Sequence, residues 1–383
     1  MNQISTIIST YTADTMGVAS ALFELGGMTI MHDASGCNST YNTHDEPRWY
    51  DFDSMVYISA LTETEAVMGD DNKLVNDIIS AANDLSPKFI AISGTPIPMM
   101  AGTDLKAIAR VVEAKTGIPS FGFKTNGMHS YIDGAAEAFL GIAQRFIKEN
   151  IKKTGSLSVN ILGLTPLDFS VNSTVSSIKN VLTKNGIEIV SSWAMGSELC
   201  EIEHSAAAHV NLVVSQCGMK AAEYMKQKFD IPYVAGVPIG EKLTQKLIDD
   251  IKSSAQNRSN IISFSDRNLK NAEIAIIGEG IGSASLAKAI SLETEKSAKV
   301  ICPLTINKEF LTDGDSQSFS EDDIKTEAEA FKYIIADPMY KPICPKKAKF
   351  IALPHEAFSG RIYRKDIPDL VSGIDFPSFC FAE

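Results

Sequence analysis

Cysteine is sparse and scattered in this chain. The six cysteines stand at positions 37, 200, 217, 302, 344 and 380, with no CxxC pair. That spacing excludes a zinc ribbon and a ferredoxin-type motif, both of which need close-set thiolates. A dense disulfide framework is equally out of place in a chain this long and acidic. No apolar run reaches the roughly 20 residues of a membrane span, so no membrane segment is expected. Met1-Asn2-Gln3-Ile4 lacks the basic start of a secretory signal, and the expected location is cytoplasmic. Basic residues are outnumbered, 35 Lys+Arg against 47 Asp+Glu, for a net charge of −12. The basic face that sequence-independent nucleic-acid binding requires is therefore missing, and no nucleic-acid partner is expected. Histidine occurs six times. His204 and His209 are five apart rather than four, so a helical zinc pair fails and a solvated helix face is expected.

What is present is an ordinary globular composition in 383 residues, 44% hydrophobic and 21% charged, enough for two or three domains. Apolar runs alternate with amphipathic stretches. Lys88 to Gly94 reads as a buried strand stopping at glycine, Asp104 to Ala114 as a helix, and Pro119 to Phe123 as the next strand. This βαβ rhythm predicts parallel sheets covered by helices, with sites at the carboxyl ends of strands. The rhythm restarts at Ser156–Gly163 and again at Asn271–Gly278, each after a polar stretch. The expectation is an α/β chain of three Rossmann-like doubly wound domains, 1–152, 153–268 and 269–383, with the subunit interface in the first.

The segment His32-Asp33-Ala34-Ser35-Gly36-Cys37 carries the strongest chemical signal. A cysteine after a Ser-Gly turn can sit at a helix N-terminus, where free N–H groups favour the thiolate that binds metal. The alternative is a cysteine that is simply buried. Gly278-Glu279-Gly280-Ile281-Gly282-Ser283 has the strand–turn–helix context of a dinucleotide fingerprint, but its third glycine comes one position early and Ser283 stands where Gly or Ala belongs. A tight turn without NAD is expected there. Cys217, just after the apolar Val213-Val214, reads mainly as a packing residue at a strand end that faces a cleft. Asp168 and Asn172 read as helix caps. Asp45 to Asp51, with Arg48, Trp49 and Tyr50, reads as an interface segment.

Taken in order, several segments resemble one family, the nitrogenase component 1 group. They are Met16–Leu22 with His32–Cys37, Ser59–Gly69, Ser93-Gly94-Thr95 with Ala101–Leu105, Ile118-Pro119, Ala336-Asp337-Pro338 and Leu353–Gly360. The group includes nitrogenase subunits, their cofactor-assembly scaffolds and dark-operative protochlorophyllide reductases. The resemblance implies three Rossmann-like domains and pairing into a homodimer or with a second component 1-type subunit. It also implies an interface iron–sulfur cluster, an ATP-hydrolysing iron protein as electron donor, and anaerobic reduction of an unsaturated substrate. By the same resemblance Cys37 matches one cluster cysteine. The other two positions fall near Ala13 and at Thr95 or Pro96, so two of three thiolates are absent. Cys37 would be a metal ligand, with Asp14, Asp33 and Thr95 lining the cluster site. The segment Val213 to Cys217 resembles the place of a nitrogenase cofactor cysteine, but the register fits Ser215 or Val214 better than Cys217, and no nitrogenase cofactor is expected. The vacated ligands leave two other roles open: a non-catalytic scaffold or carrier for a metal cofactor or tetrapyrrole, or a structural partner of a cysteine-complete subunit.

Overall fold

The structure, a computed structural model, describes residues 5–36, 38–196, 198–376 and 379. Among them, strands form three sheets in which every named pairing is parallel. The first contains β1 (Met28–His32), β2 (Met55–Ile58), β3 (Ile90–Gly94) and β4 (Ser120–Gly122), in the order β2-β1-β3-β4. The second contains β5 (Ser158–Leu162), β6 (Glu188–Ser192), β7 (Val210–Val213), β8 (Tyr233–Ala235) and β9 (Ile261–Ile262), in the order β6-β5-β7-β8-β9. The third contains β10 (Ile274–Ile277), β11 (Ala298–Cys302), β12 (Ser316–Gln317), β13 (Tyr333–Ala336) and β14 (Lys349–Ala352), in the order β12-β11-β10-β13-β14.

Each sheet is entered at its middle and grows both ways. The strand order therefore reverses between β1 and β3, between β5 and β7, and between β10 and β13. Outside the carboxyl ends at such reversals, neighbouring connections diverge and leave a crevice. The central strands β1, β3, β5, β7 and β10 are buried along their whole length, which explains their near-continuous apolar runs. The helices carry explicit start and stop signals. Asp104 accepts the Ala107 N–H at 3.0 Å to open the helix Leu105–Thr116, and Gly117 closes it with a positive φ of 72°.

The three units share packing. The helix Asp14–Leu22 lies against the helix Tyr131–Phe146, and at Gly17 and Gly134 the two backbones touch where any Cβ would collide with the Tyr131 or Asp14 carbonyl. Small residues here bring the start of the first helix and the start of the second within one layer. Leu22, Leu25 and Phe89 join the cores of the second and third sheets in one apolar cluster, while Met28, Ile30, Ile90 and Ile92 face a separate core on the other side of the first sheet.

The sequence expectation for Asp45–Asp51 is corrected at its arginine. Arg48 is only 2% exposed. It pairs with Glu46 at 2.6 Å and Glu24 at 3.0 Å, and donates to the Ser20 and Ala194 carbonyls at 2.7 and 3.0 Å. Desolvating a guanidinium is tolerated only when its donors are matched, and the two carboxylates and two carbonyls match them. Arg48 thus joins the first unit to the second rather than facing a partner; Tyr50 alone of the aromatics in this segment is widely exposed.

Candidate functional site

At the reversal in the first sheet, the loops after β1 and β3 bring Asp33 and Thr95 together. The Thr95 hydroxyl donates to Asp33 Oδ1 at 2.8 Å, and Asn38 Nδ2 donates to Asp33 Oδ2 at 3.0 Å. Asp14 heads the first helix beside them. Its carboxylate accepts backbone N–H groups of Thr15, Gly127 and Asn126 at 2.7, 2.8 and 3.0 Å. The Thr15 hydroxyl ties this turn to the Gly94 carbonyl at 2.6 Å. Burial pushes the Asp14 carboxyl up despite those donors. His32, at the end of β1, is driven down to about 4 by burial and is neutral at pH 7. The structure therefore gathers Asp14, Asp33 and Thr95 at one sheet end; Cys37, the metal ligand expected beside them, lies outside the described residues.

Exposed apolar side chains rim this end: Val67, Met68, Ile97, Met99, Met100 and Met128. All but Met128 sit on the short helices Glu63–Met68 and Pro96–Ala101, which lie side by side.

A second constellation lies where the second and third sheets present their reversals to each other. Asp168 comes from the turn after β5, Cys217 from the turn after β7, Glu279 from the turn after β10, and His355 from the loop after β14. Tyr131 reaches in from the first residue of its helix and donates its hydroxyl to Asp168 Oδ1. His355 Nε2 is 3.6 Å from the same oxygen. Asp168 Oδ2 accepts from the Thr165 hydroxyl at 2.9 Å and stands 3.9 Å from Cys217 Sγ. The Glu279 carboxylate accepts the Gln216 and Gly282 N–H groups at 3.0 and 2.7 Å. Among the described residues, no lysine or arginine lines this place. The loop carrying His355 is fixed by Asp337, which accepts the His355 N–H at 2.8 Å and the Ser359 hydroxyl at 2.8 Å.

Asp168, Glu279 and His355 line a cavity of about 100 Å³ with walls that include Val237, Ile239, Leu286 and Phe358. Its outer side is formed by Ile367, Pro368, Leu370 and Val371. That strap is held down by Asp369, which accepts hydroxyls of Ser177, Ser173 and Ser372 at 2.6, 2.7 and 2.8 Å.

The protonation states follow from burial and neighbours. Burial raises the Glu279 carboxyl to about 7, with the Asp168 charge adding to the rise and backbone N–H groups opposing it. Cys217 is pushed well up, first by burial and then by Asp168, so it is a thiol at pH 7. The Tyr131 hydroxyl is raised by burial and Asp168. His355 Nδ1 is buried and has no hydrogen-bond partner among the described residues.

Sequence reasoning located the first constellation and missed most of the second. Asn172 does cap the following helix, accepting the Thr174 N–H at 2.9 Å. Asp168 does not; it is turned to Tyr131 and His355. The signal was the strand-end position shared by Asp168, Cys217 and Glu279. His204 bonds the Cys200 carbonyl and His209 the Ser158 and Thr154 hydroxyls, so the pair is held by local structure.

A family model described as nitrogenase component 1 type oxidoreductase matches residues 14–279. The chain belongs to that family. It is 27% identical over 172 residues to a light-independent protochlorophyllide reductase subunit of Prosthecochloris aestuarii, a match covering 43% of this chain and 31% of that protein. It is 25% identical over 222 residues to the nitrogenase iron-molybdenum cofactor biosynthesis protein NifE of Clostridium pasteurianum, covering 57% of this chain and 46% of that protein. Each match thus takes in less than half of the relative's length. A solved structure of nitrogenase Cp1 at pH 6.5 superimposes with a TM-score of 0.69 at 15% identity, over 97% of this chain and 92% of that one, which establishes the three-sheet α/β fold of this family member. None of its helices is long and apolar enough to cross a membrane, among the described residues.

Whether the first constellation suits a metal group can be read from its donors. The described residues contain no group of three or more His, Cys, Asp or Glu side chains able to hold a metal ion. The oxygens of Asp14 and Asp33 are already occupied by N–H and hydroxyl donors. By itself, the described part of this chain does not offer a cluster its ligands.

Proposed function

We propose that this chain is the catalytic-component subunit of a nitrogenase-like reductase. In this reading it receives electrons from an ATP-hydrolysing iron protein and directs them to an unsaturated substrate between the second and third units. The observation that carries it is the pairing of two sheet-end sites within one chain. One lies at the segment leading into Cys37, beside an exposed apolar rim; the other is a mostly apolar cavity with titratable groups and, among the described residues, no lysine or arginine. A site for handing over electrons must be near a surface, while a site for reducing an organic group gains from excluded water.

Since Asp14 and Asp33 are already engaged by donors of the chain and no thiolate stands beside them among the described residues, an iron–sulfur cluster here needs ligands from elsewhere. Cys37 would join thiolates of a second component 1-type subunit seated on the rim of Val67, Met68, Ile97, Met99, Met100 and Met128. Methionine-rich apolar surface of this kind is rarely left in water without a partner. Anaerobic co-expression with a partner subunit, followed by iron and sulfide analysis, tests the reading. Bound iron in the wild type that is lost in Cys37→Ser, with the melting temperature unchanged, supports it. Iron at background in both proteins sinks it.

A second reading draws on the same engagement of Asp14 and Asp33 and on the similarity to a cofactor biosynthesis protein. A scaffold needs attachment that can be released, and a single thiolate supplies that. Iron that binds stoichiometrically and then leaves to an acceptor protein, without turnover of any substrate, selects this reading.

A further inference from the structure

Asp168 and Glu279 line one cavity whose walls are otherwise mostly apolar, and among the described residues no lysine or arginine lines that cavity to offset them. Two carboxylates cannot both stay ionised in such a place, because each desolvated charge costs several kcal/mol and the pair repels. The groups facing Glu279 from every packed element are Asp168 after β5, Tyr131 at its helix start, Cys217 after β7, Cys302 at the end of β11 and His355 after β14. Tyr131, Cys217 and Cys302 all hold their protons, which leaves Glu279, raised by burial and the Asp168 charge, as the group whose proton exchanges near neutral pH. Glu279 is 5% exposed and sits at the inner wall. The His355 side chain is 18% exposed and reaches toward water while standing 3.6 Å from Asp168.

We propose that Glu279 is the proton donor to an unsaturated, apolar group seated in this cavity, and that His355 and Asp168 return the proton from solvent. The proposal rests on the reductase reading above. Saturating one carbon–carbon or carbon–nitrogen double bond takes two electrons and two protons. The electrons come from the reduced iron–sulfur donor protein. For each proton the Glu279 O–H bond breaks and a bond to substrate forms, leaving a carboxylate. Asp168, 3.6 Å from His355 Nε2, relays to Glu279 a proton that His355 takes up from water. The size of the cavity limits what enters. A cavity of ~150 Å³ holds one benzene, so about 100 Å³ admits a small unsaturated group or the edge of a ring.

The protonation can be read without electrons or substrate. Infrared spectra of the isolated wild-type chain across pH 5 to 9 are expected to show a protonated-carboxyl band that fades with a midpoint near 7. That band should be absent in Glu279→Gln. In Asp168→Asn the midpoint should fall, since the opposing charge is gone. A wild type without the band, or a band that survives in Glu279→Gln, overturns the assignment. Turnover supplies the second arm. With the donor protein and ATP, Glu279→Gln should accept electrons at the wild-type rate yet form product ~10²–10⁴-fold more slowly, the usual range for losing a general acid. Unchanged product formation and an unchanged pH profile in Glu279→Gln also overturn it. A wild type that accepts no electrons at all refutes the reductase reading, and the donor role with it, while the infrared result still reports where the proton resides.

Discussion

The two sheet-end sites are built from the same parts and stand in opposite electrostatic conditions. At the first-sheet reversal, Asp14 and Asp33 are buried at 1% and 4% exposure, yet each oxygen finds a donor of the chain itself. At the junction of the second and third sheets, Glu279 and Asp168 meet a tyrosine, a thiol and a histidine with an unpartnered nitrogen. The carboxylate oxygens of Asp168 and Glu279 also have donors of the chain, but there two carboxyls share one mostly apolar cavity, and that keeps Glu279 titrating near neutral pH. The family motifs draw attention to the first site, but the carboxyl raised to about 7 and the buried, unpartnered Nδ1 of His355 are at the second, among the described residues.

The largest expected effect tests whether the two sites stand on one body. Arg48→Ala leaves Glu24 and Glu46 buried without their cation and cuts the bond to the Ala194 carbonyl. Removing one partner of a buried ion pair costs ~3–5 kcal/mol. Denaturant unfolding should show that loss, and a first-sheet probe near Trp49 should unfold ahead of one near Trp193. A loss under ~1 kcal/mol would mean that Arg48 sits in water in solution and would restore its segment as an interface.

A pH experiment separates the sites next. The Glu279 carboxyl is raised from 4.5 to about 7 by folding. A raised acid binds more protons in the native state, so its contribution is complete below the unfolded value and is lost as pH climbs through the folded one. At ~1.4 kcal/mol per unit, stability should decline by about 3 kcal/mol between pH 4.5 and 7 on this group's account. Glu279→Gln should flatten that decline in chemical denaturation measured across the range. An equal slope in wild type and variant would show that Glu279 is solvated and would erase the contrast with the first site.

A smaller effect is expected from Thr95→Val. The swap keeps the shape and strips Asp33 Oδ1 of a 2.8 Å donor. An unmet buried acceptor costs ~1–3 kcal/mol. If Thr95→Val is neutral or stabilising, the Asp33 oxygen was free after all and becomes a candidate ligand.

Much of the fold was legible because parallel strands buried on both faces must be apolar throughout. Ile90–Gly94, Ser158–Leu162 and Ile274–Ile277 announce themselves for that reason. The first site was legible through motif and spacing, since Asp33 and Thr95 end adjacent strands. The second was not, because its members lie far apart in the chain, from Tyr131 to His355, and only the facing of two sheets brings them together. Asp168 in particular carries a local signature that reads as a helix cap, and no local pattern tells an acid that caps from one that turns into a cleft. Arg48 misled in the same way: an arginine between a proline and a tryptophan reads as surface until Glu24 is seen folding back to it.

The smallest expected effect is none at all, and it bears on the turn that carries Glu279. Gly278 to Ser283 runs from β10 into the helix Gly280–Thr294, the setting in which a dinucleotide pyrophosphate rests on a helix N-terminus. Here the Glu279 carboxylate caps that terminus, accepting the Gly282 N–H at 2.7 Å. It occupies the anion position and adds acid where phosphate would bring more negative charge. Gly280 has no room for a ligand either, since even a Cβ there would collide with the Ile306 side chain. Calorimetric titration with NAD(H) or NADP(H) should give no saturable heat. Micromolar binding that Gly280→Val abolishes would show that Glu279 swings out of the turn, and a carboxylate that leaves so readily could not be the buried member of the acid pair.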